Sequence, residues 1–278
     1  MNAISICQLS KRYPSFTLDN VSFDVPQGQI TGLVGPNGAG KTTTIQSIMG
    51  KLHHEGKIEI LGNPAEDKLS DDIGYVSDHS FYIDQWTCLD VEKAVAPFYQ
   101  RWDSEKYRQL LDHFHIEVTK QVKNLSRGMH VKLMLAQAFS HDAKLLILDE
   151  PTSGLDPVAR DNLCDLLLDY VDAEHSVLFS THITSDLERV ADKIVFLADG
   201  QLIFEENKQV LQQGYLFVKG QGGDTSRIIG LKKLANDVEG ILARDHRAAL
   251  PASQYEMRLA TLDEILLFTN RERGGRHV

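Results

Sequence analysis

Residues 30–42 read ITGLVGPNGAGKT. The first five are an unbroken apolar run, the pattern of a strand buried on both faces. Gly35, Pro36, Asn37, Gly38, Ala39, Gly40, Lys41 and Thr42 follow as G-x-x-x-x-G-K-T. Residues 41–49 then carry a helical pattern that Gly50 is placed to end. Strand, glycine-rich loop and helix in this order form a phosphate-binding loop. The glycines let backbone N–H groups converge on an anion, and the helix start adds the positive end of its dipole. In this reading Lys41 reaches the β- and γ-phosphates, Thr42 ligates Mg²⁺, and Thr43 completes the binding stretch. The alternative is a glycine-rich turn without a ligand, and the intact eight-residue pattern in its strand–loop–helix setting argues against it.

About a hundred residues further on, residues 145–150 read LLILDE. An apolar strand thus ends in Asp149 and Glu150. In open α/β sheets ligands sit at the carboxyl ends of strands. Asp149 is placed to hold Mg²⁺, which prefers hard oxygen donors. Glu150, one residue on, is placed to polarise an attacking water. A solvated acidic strand end is the bland alternative, and the upstream loop outweighs it.

The rest of the chain supplies an alternating βα series. Short strands are expected at residues 4–9, 21–25, 57–61 and 73–76. A helical pattern covers about 89–115, and residues 128–139 form a helix apolar around most of its surface. A helix over 157–171, a strand at 176–180, a helix at 184–190 and a strand at 193–198 complete the series. The GQGGDTS run at 220–226 is the best candidate boundary, and residues 227–278 read as a small α+β appendage.

Composition bounds the chemistry. The 278 residues carry a formal net charge of -10, which argues against nucleic acid as a partner. Cys7, Cys88 and Cys164 match neither a disulfide framework nor a zinc pattern, so a reducing compartment is expected. Neither a signal peptide nor an apolar run of membrane-spanning length is visible, so the expectation is a cytosolic protein.

A phosphate loop and an acidic strand end fit many nucleotide hydrolases. Leu125-Ser126-Arg127-Gly128-Met129 narrows the choice. It resembles the LSGGQ signature of the ATP-binding subunits of ABC transporters. Ser153-Gly154-Leu155-Asp156 resembles the family's D-loop, and Ser180-Thr181-His182 its switch histidine. The resemblance covers about residues 4–206. It implies an α/β P-loop NTPase cassette over residues 1–220, with an antiparallel β subdomain and a helical subdomain inserted at 79–140. Residues 221–278 form a small C-terminal extension.

The resemblance further implies a head-to-tail dimer with two ATP molecules between the subunits, each meeting the phosphate loop of one chain and the signature of the other. Ser126 and Gly128 would face the partner's γ-phosphate, His182 the γ-phosphate of its own site, and Asp156 the subunit boundary. Tyr13 occupies the position of an adenine-stacking aromatic, with a surface-loop aromatic as the alternative. The implied activity is ATP hydrolysis with Mg²⁺, coupled to transport through integral membrane subunits on separate chains. The second ATPase subunit is a copy of this chain or a paralogue. The surroundings of residues 73–99 look most like bacterial drug and antibiotic-peptide exporters with separate ATPase chains, which places the protein at the cytoplasmic face of the membrane.

Two positions depart from the family pattern. Arg127 stands where the signature has glycine, adding charge near the triphosphate or pointing to solvent. Asp78 stands where the family has a glutamine that senses Mg²⁺ and the attacking water. It is either a carboxylate substitute for that ligand or a plain loop residue. In the helical insertion Phe81, Tyr82 and Trp86 are expected at a docking surface for the membrane subunit, and Phe98 and Trp102 in the subdomain core. The competing function is a soluble ABC-type ATPase acting on ribosomes or nucleic acid. The single cassette and the absence of C-x-x-C weigh against it.

Overall fold

The computed structural model describes residues 1–65, 70–77 and 81–274. Asp78 and His79 lie outside the described residues. The chain opens with a long hairpin, β1 (Asn2–Tyr13) and β2 (Phe16–Pro26), and enters the buried strand β3 (Ile30–Val34). Helix α1 (Lys41–Ile48) follows the glycine-rich loop, and Gly50 at φ +65° ends that turn. Strands β4 (Glu55–Ile60), β5 (Asn63–Pro64) and β6 (Ile73–Val76) lead to the helical insertion. The insertion contains α2 (Cys88–Val95), α3 (Ser104–His113) and α4 (Arg127–Phe139). Next come β7 (Leu145–Asp149), α5 (Pro157–Tyr170), β8 (Ser176–Thr181), α6 (Thr184–Val190), β9 (Lys193–Ala198) and β10 (Gln201–Asn207). The C-terminal part holds α7 (Lys208–Gly214), β11 (Tyr215–Gly220), β12 (Ile229–Lys233), β13 (Val238–Ala243), β14 (Tyr255–Leu259) and α8 (Leu262–Gly274).

Three sheets result, ordered β2-β1-β4-β5, β10-β9-β3-β8-β7-β6 and β12-β13-β11-β14. In the central sheet β3 pairs in parallel with β8 and β9, and β7 with β6 and β8. Every residue of β3, β7 and β8 is buried. Alternation then divides them between two cores. Leu33, Leu145 and Ile147 pack with Ile45 and Ile48 of α1 and with the antiparallel hairpin. Val34, Leu146 and Leu148 face the opposite way, against α4, α5 and α6. The phosphate loop is therefore suspended between a rigid strand and a helix locked by apolar contacts on two sides.

The helical pattern at 89–115 is not one helix. Pro97, which has no N–H to donate, sits in a short 3₁₀ turn at Ala96–Phe98 and separates α2 from α3. Thr87 and Asp90 close a reciprocal capping box at the start of α2, worth about 1 kcal/mol. The expected boundary at 220 falls at the end of a strand, β11 (Tyr215–Gly220). β11, residues 215–220, is an inner strand of the C-terminal sheet, paired with β13 and β14. The glycine-rich run at 220–226 begins only as that strand ends, so loop composition there marks a turn inside the unit.

The C-terminal unit is fastened to the cassette through α6. The Leu262 N–H donates to Glu188 Oε1 at 2.7 Å, and Thr184 Oγ1 donates to Asp263 Oδ1 at 3.1 Å. Ile265 and Leu266 of α8 share one apolar cluster with Leu187 and Val190 of α6. Among the described residues no helix is long and apolar enough to cross a membrane.

Candidate nucleotide site

The carboxyl ends of β3, β7 and β8 bring three stretches together, residues 35–43, 149–153 and 180–182. Gly40, at φ +107°, turns the chain into α1, and a Cβ there would sit 2.7 Å from Leu18 Cδ1. Only glycine meets both conditions. The adjacent Lys41 is 6 % exposed, and its Nζ donates to the carbonyls of Gly35 (2.8 Å) and Pro36 (3.3 Å). The same Nζ lies 3.3 Å from Glu150 Oε1.

Glu150 adopts φ +51°, a left-handed backbone that costs a side-chain-bearing residue about 1 kcal/mol. Two bonds hold it there, as its N–H lies 3.1 Å from Ser180 O and 3.0 Å from Ser180 Oγ. The bend aims the carboxylate out of the sheet end, where Oε2 meets His182 Nδ1 at 2.7 Å. A carboxylate only accepts, so Nδ1 carries the proton and Nε2 remains free for another partner. Asp149 is 2 % exposed, and its Oδ1 accepts from Ser180 Oγ at 2.7 Å and from Thr42 Oγ1 at 3.4 Å.

A cavity of about 610 Å³ opens above these groups, within the range of small-molecule sites. Asn37, Gly38, Ala39, Gly40, Lys41, Thr42 and Thr43 form one wall, and Glu150, Ser153 and His182 face them. Gly35 and Pro36 contribute the carbonyls that anchor Lys41. Backbone amides at a helix start plus a buried ammonium fit phosphate, and the Thr42 and Asp149 oxygens fit a hard cation.

Tyr13 does not line this cavity; Phe16 does. The two pair across the β1–β2 hairpin with ring centroids 6.4 Å apart, and Lys11 Nζ lies 5.6 Å over the Tyr13 ring. The hairpin sequence Tyr13-Pro14-Ser15-Phe16 carried the signal, since its tight turn brings both rings to one end. Ser126 and Gly128 also lie outside the cavity's lining. Ser126 caps α4, accepting from the Met129 N–H at 3.3 Å, and Gly128 abuts Leu155. Asp156 caps α5 through the Ala159 N–H at 2.9 Å. Ser180, quoted above only as the start of the switch-like motif, also bonds to both Asp149 and Glu150.

A second, more apolar cavity of about 590 Å³ lies between the hairpin subdomain and the helical insertion. Phe81, Tyr82, Trp86, Phe98 and Met134 line it. Phe98 is 78 % exposed, which corrects its expected place in the core, whereas Trp102 does pack against the core. Phe98 ends the 3₁₀ turn Ala96–Phe98 that follows α2. Lys51 lies 4.2 Å over the Tyr75 ring and 5.0 Å over Phe81, and burial holds its ammonium below the usual lysine pKa.

The model of the ABC transporter family matches residues 18–153. An ABC transporter ATP-binding protein of Nostoc is 33% identical over 219 residues, 75% of this chain and 65% of that protein. The Nod factor export ATP-binding protein I of Rhizobium johnstonii is 34% identical over 246 residues, 81% of this chain and 77% of that protein. The chain belongs to the ATP-binding proteins of ABC transporters. A solved ATP-binding subunit of an ABC transporter superposes with a TM-score of 0.69 at 27% identity, covering 76% of this chain and 92% of that one. The central sheet, with the phosphate loop and the acidic strand end at its carboxyl edge, thus has the fold of a solved ABC ATP-binding subunit.

Proposed function

We propose that this ABC ATP-binding chain is the ATP-hydrolysing motor subunit of an exporter whose membrane-spanning subunits are separate chains. The observation that carries the reading is Glu150, held by Ser180 and placed between Lys41 and His182 at the mouth of the phosphate cavity. With ATP on the loop, Lys41 and the amides of residues 38–43 bind the β- and γ-phosphates. Glu150 accepts the proton of the attacking water as its oxygen bonds to the γ-phosphorus and the bond to the ADP oxygen breaks. His182, anchored through Nδ1, turns Nε2 toward the attacking water, whose O–H can donate to it. Thr42 and Asp149 would hold Mg²⁺, which supplies charge neutralisation on the phosphates.

Ser126 and Gly128 stand apart from the chain's own phosphate cavity, which fits their service to nucleotide on a second chain. Two cassettes head to tail, each completing the other's site, are the arrangement this supports. ATP closes the pair, closure moves the membrane subunits, and hydrolysis with phosphate release reopens it. The aromatic groove around Phe81 and Phe98 is the docking surface for a membrane subunit, since exposed aromatics beside a cavity mark interface cores. That placement is peripheral, at the cytoplasmic face. Export rests on the Nod factor export relative, and the net charge of -10 argues against ribosome or nucleic-acid action.

Steady-state phosphate release from ATP with Mg²⁺ tests the enzymatic part. Wild type should turn over ATP, and Lys41→Ala should not. Equal rates in both would end the proposal.

A further inference from the structure

The side chain of His182 is 44 % exposed, so packing alone does not orient it. The hydrogen bond that sets the ring runs from Nδ1 to Glu150 Oε2 at 2.7 Å. The backbone around it is a tight turn. The Ile183 N–H donates to Thr181 Oγ1 at 3.0 Å, and α6 begins at Thr184. The ring therefore moves with the start of α6. That helix has seven residues, and its N-cap residue, Ile183, makes no side-chain cap bond. A helix of two turns or less does not hold itself together in water, so tertiary contacts set its position.

Those contacts come from two sides. Leu187 sits against Gly32 of β3, so closely that a Cβ on Gly32 would stand 2.6 Å from Leu187 Cδ2. On the other side the C-terminal unit grips the helix twice. At its first residue, Thr184 Oγ1 donates to Asp263 Oδ1 at 3.1 Å. One turn on, Glu188 Oε1 accepts from the Leu262 N–H at 2.7 Å, and the Glu188 carbonyl accepts from Lys208 Nζ at 2.8 Å. Leu187 and Val190 share an apolar cluster with Ile265 and Leu266. The Thr184 bond is thus the one nearest the histidine, two residues away, although its acceptor lies 79 residues further along the chain.

We propose that Asp263 is a positioning residue for ATP hydrolysis. Through Thr184 it fixes the start of α6, and with it the direction in which His182 presents Nε2. The proposal rests on the nucleotide reading above, and it adds the C-terminal unit to the hydrolytic machinery. Asp263 does not line the phosphate cavity, so its effect passes through the helix. Without the bond the first turn of α6 frays and the ring loses its aim, and a misplacement of about 1 Å can cost roughly a hundredfold in rate. ATP binding stays with Lys41 and the loop amides. The bond is exposed, so its loss strands no buried polar group, and Glu188 with the apolar cluster keeps the C-terminal unit docked.

The test measures kcat, KM for ATP with Mg²⁺, and melting temperature for wild type, Asp263→Ala, Asp263→Asn, Thr184→Val and the double variant Thr184→Val with Asp263→Ala. Lys232→Ala is the control, because it breaks a 2.6 Å pair with Glu239 that joins β12 to β13 rather than to α6. Asp263→Ala and Thr184→Val should each lower kcat at least fivefold, with KM within twofold of wild type. The Oδ1 of an asparagine still accepts from Thr184, so Asp263→Asn should keep kcat within twofold of wild type. The double variant should be no slower than the slower single, because the two residues share one bond. Lys232→Ala should turn over as wild type does. A kcat within twofold of wild type in Asp263→Ala overturns the proposal. An Asp263→Asn as slow as Asp263→Ala overturns it too, as does a double variant whose loss is the product of the two single losses, since neither fits a shared hydrogen bond. An equal loss in Lys232→Ala also overturns it, because any loosening of the C-terminal sheet would then suffice. Matching melting temperatures exclude misfolding as the cause. Wild type no faster than Lys41→Ala would instead defeat the nucleotide reading itself, and the positioning role with it.

Discussion

Glu150 Oε2 and His182 Nδ1 meet at 2.7 Å although 32 residues separate them in the chain. The pair is assembled by the parallel ladder of β7 and β8, in which Asp149 stands opposite Ser180. Strand register therefore sets the distance between the carboxylate and the histidine, and the hydrogen bond fixes which ring nitrogen faces the cavity.

His182→Ala removes the group on Nε2 and frees one carboxylate oxygen. Turnover is expected to fall by roughly 10²- to 10⁴-fold, the range for a positioned proton-handling group. ATP affinity should change little, because Lys41 and the loop amides remain. Phosphate release and nucleotide titration measured side by side check the split, and an unchanged rate would remove His182 from the site.

Gly40→Ala introduces a Cβ at φ +107° and 2.7 Å from Leu18 Cδ1. The strained backbone alone costs about 1–2 kcal/mol, and the clash displaces the start of α1. Urea unfolding should show a lower midpoint, and nucleotide binding should be lost at temperatures where the protein remains folded.

The cysteines should separate by reactivity. Cys7 is exposed, whereas Cys88 and Cys164 are buried. Burial pushes the Cys164 thiol up to about 11 and raises that of Cys88. At pH 8 neither buried thiol holds appreciable thiolate, the reactive form. A thiol-reactive dye should therefore label one site in the folded protein and three in denaturant, read by intact mass.

Phe98→Ser should leave melting temperature and free ATPase rate nearly unchanged, since the ring is 78 % exposed. Its effect should fall on the membrane complex. Co-purification with the cell's membrane fraction, compared with wild type, reads the docking role directly.

Much of the cassette was legible because its signals are local. The apolar run 30–34, the glycine spacing and the 145–150 strand end each fix an element and its neighbour. α6 and β9 follow from short apolar runs between turn residues. What was hidden depends on tertiary contact. Phe16 rather than Tyr13 reaches the cavity because of hairpin register. Ser180 supports Glu150 through a parallel pairing that no motif encodes. Phe98 is exposed in the 3₁₀ turn that holds Pro97, a break that a periodicity count over 89–115 smooths over. The inclusion of 215–220 in the C-terminal sheet is set by its partners β13 and β14, not by its own composition.

The central claim is that Glu150 drives ATP cleavage between two paired cassettes. Glu150→Gln keeps the side-chain shape and the bond to His182 but removes the base. Sedimentation velocity of this variant with saturating ATP and Mg²⁺, beside its phosphate release rate, tests the claim most directly. The account predicts a stable two-chain species and a hydrolysis rate at least a hundredfold below wild type. A variant that stays at the mass of one chain and hydrolyses ATP at the wild-type rate would contradict it.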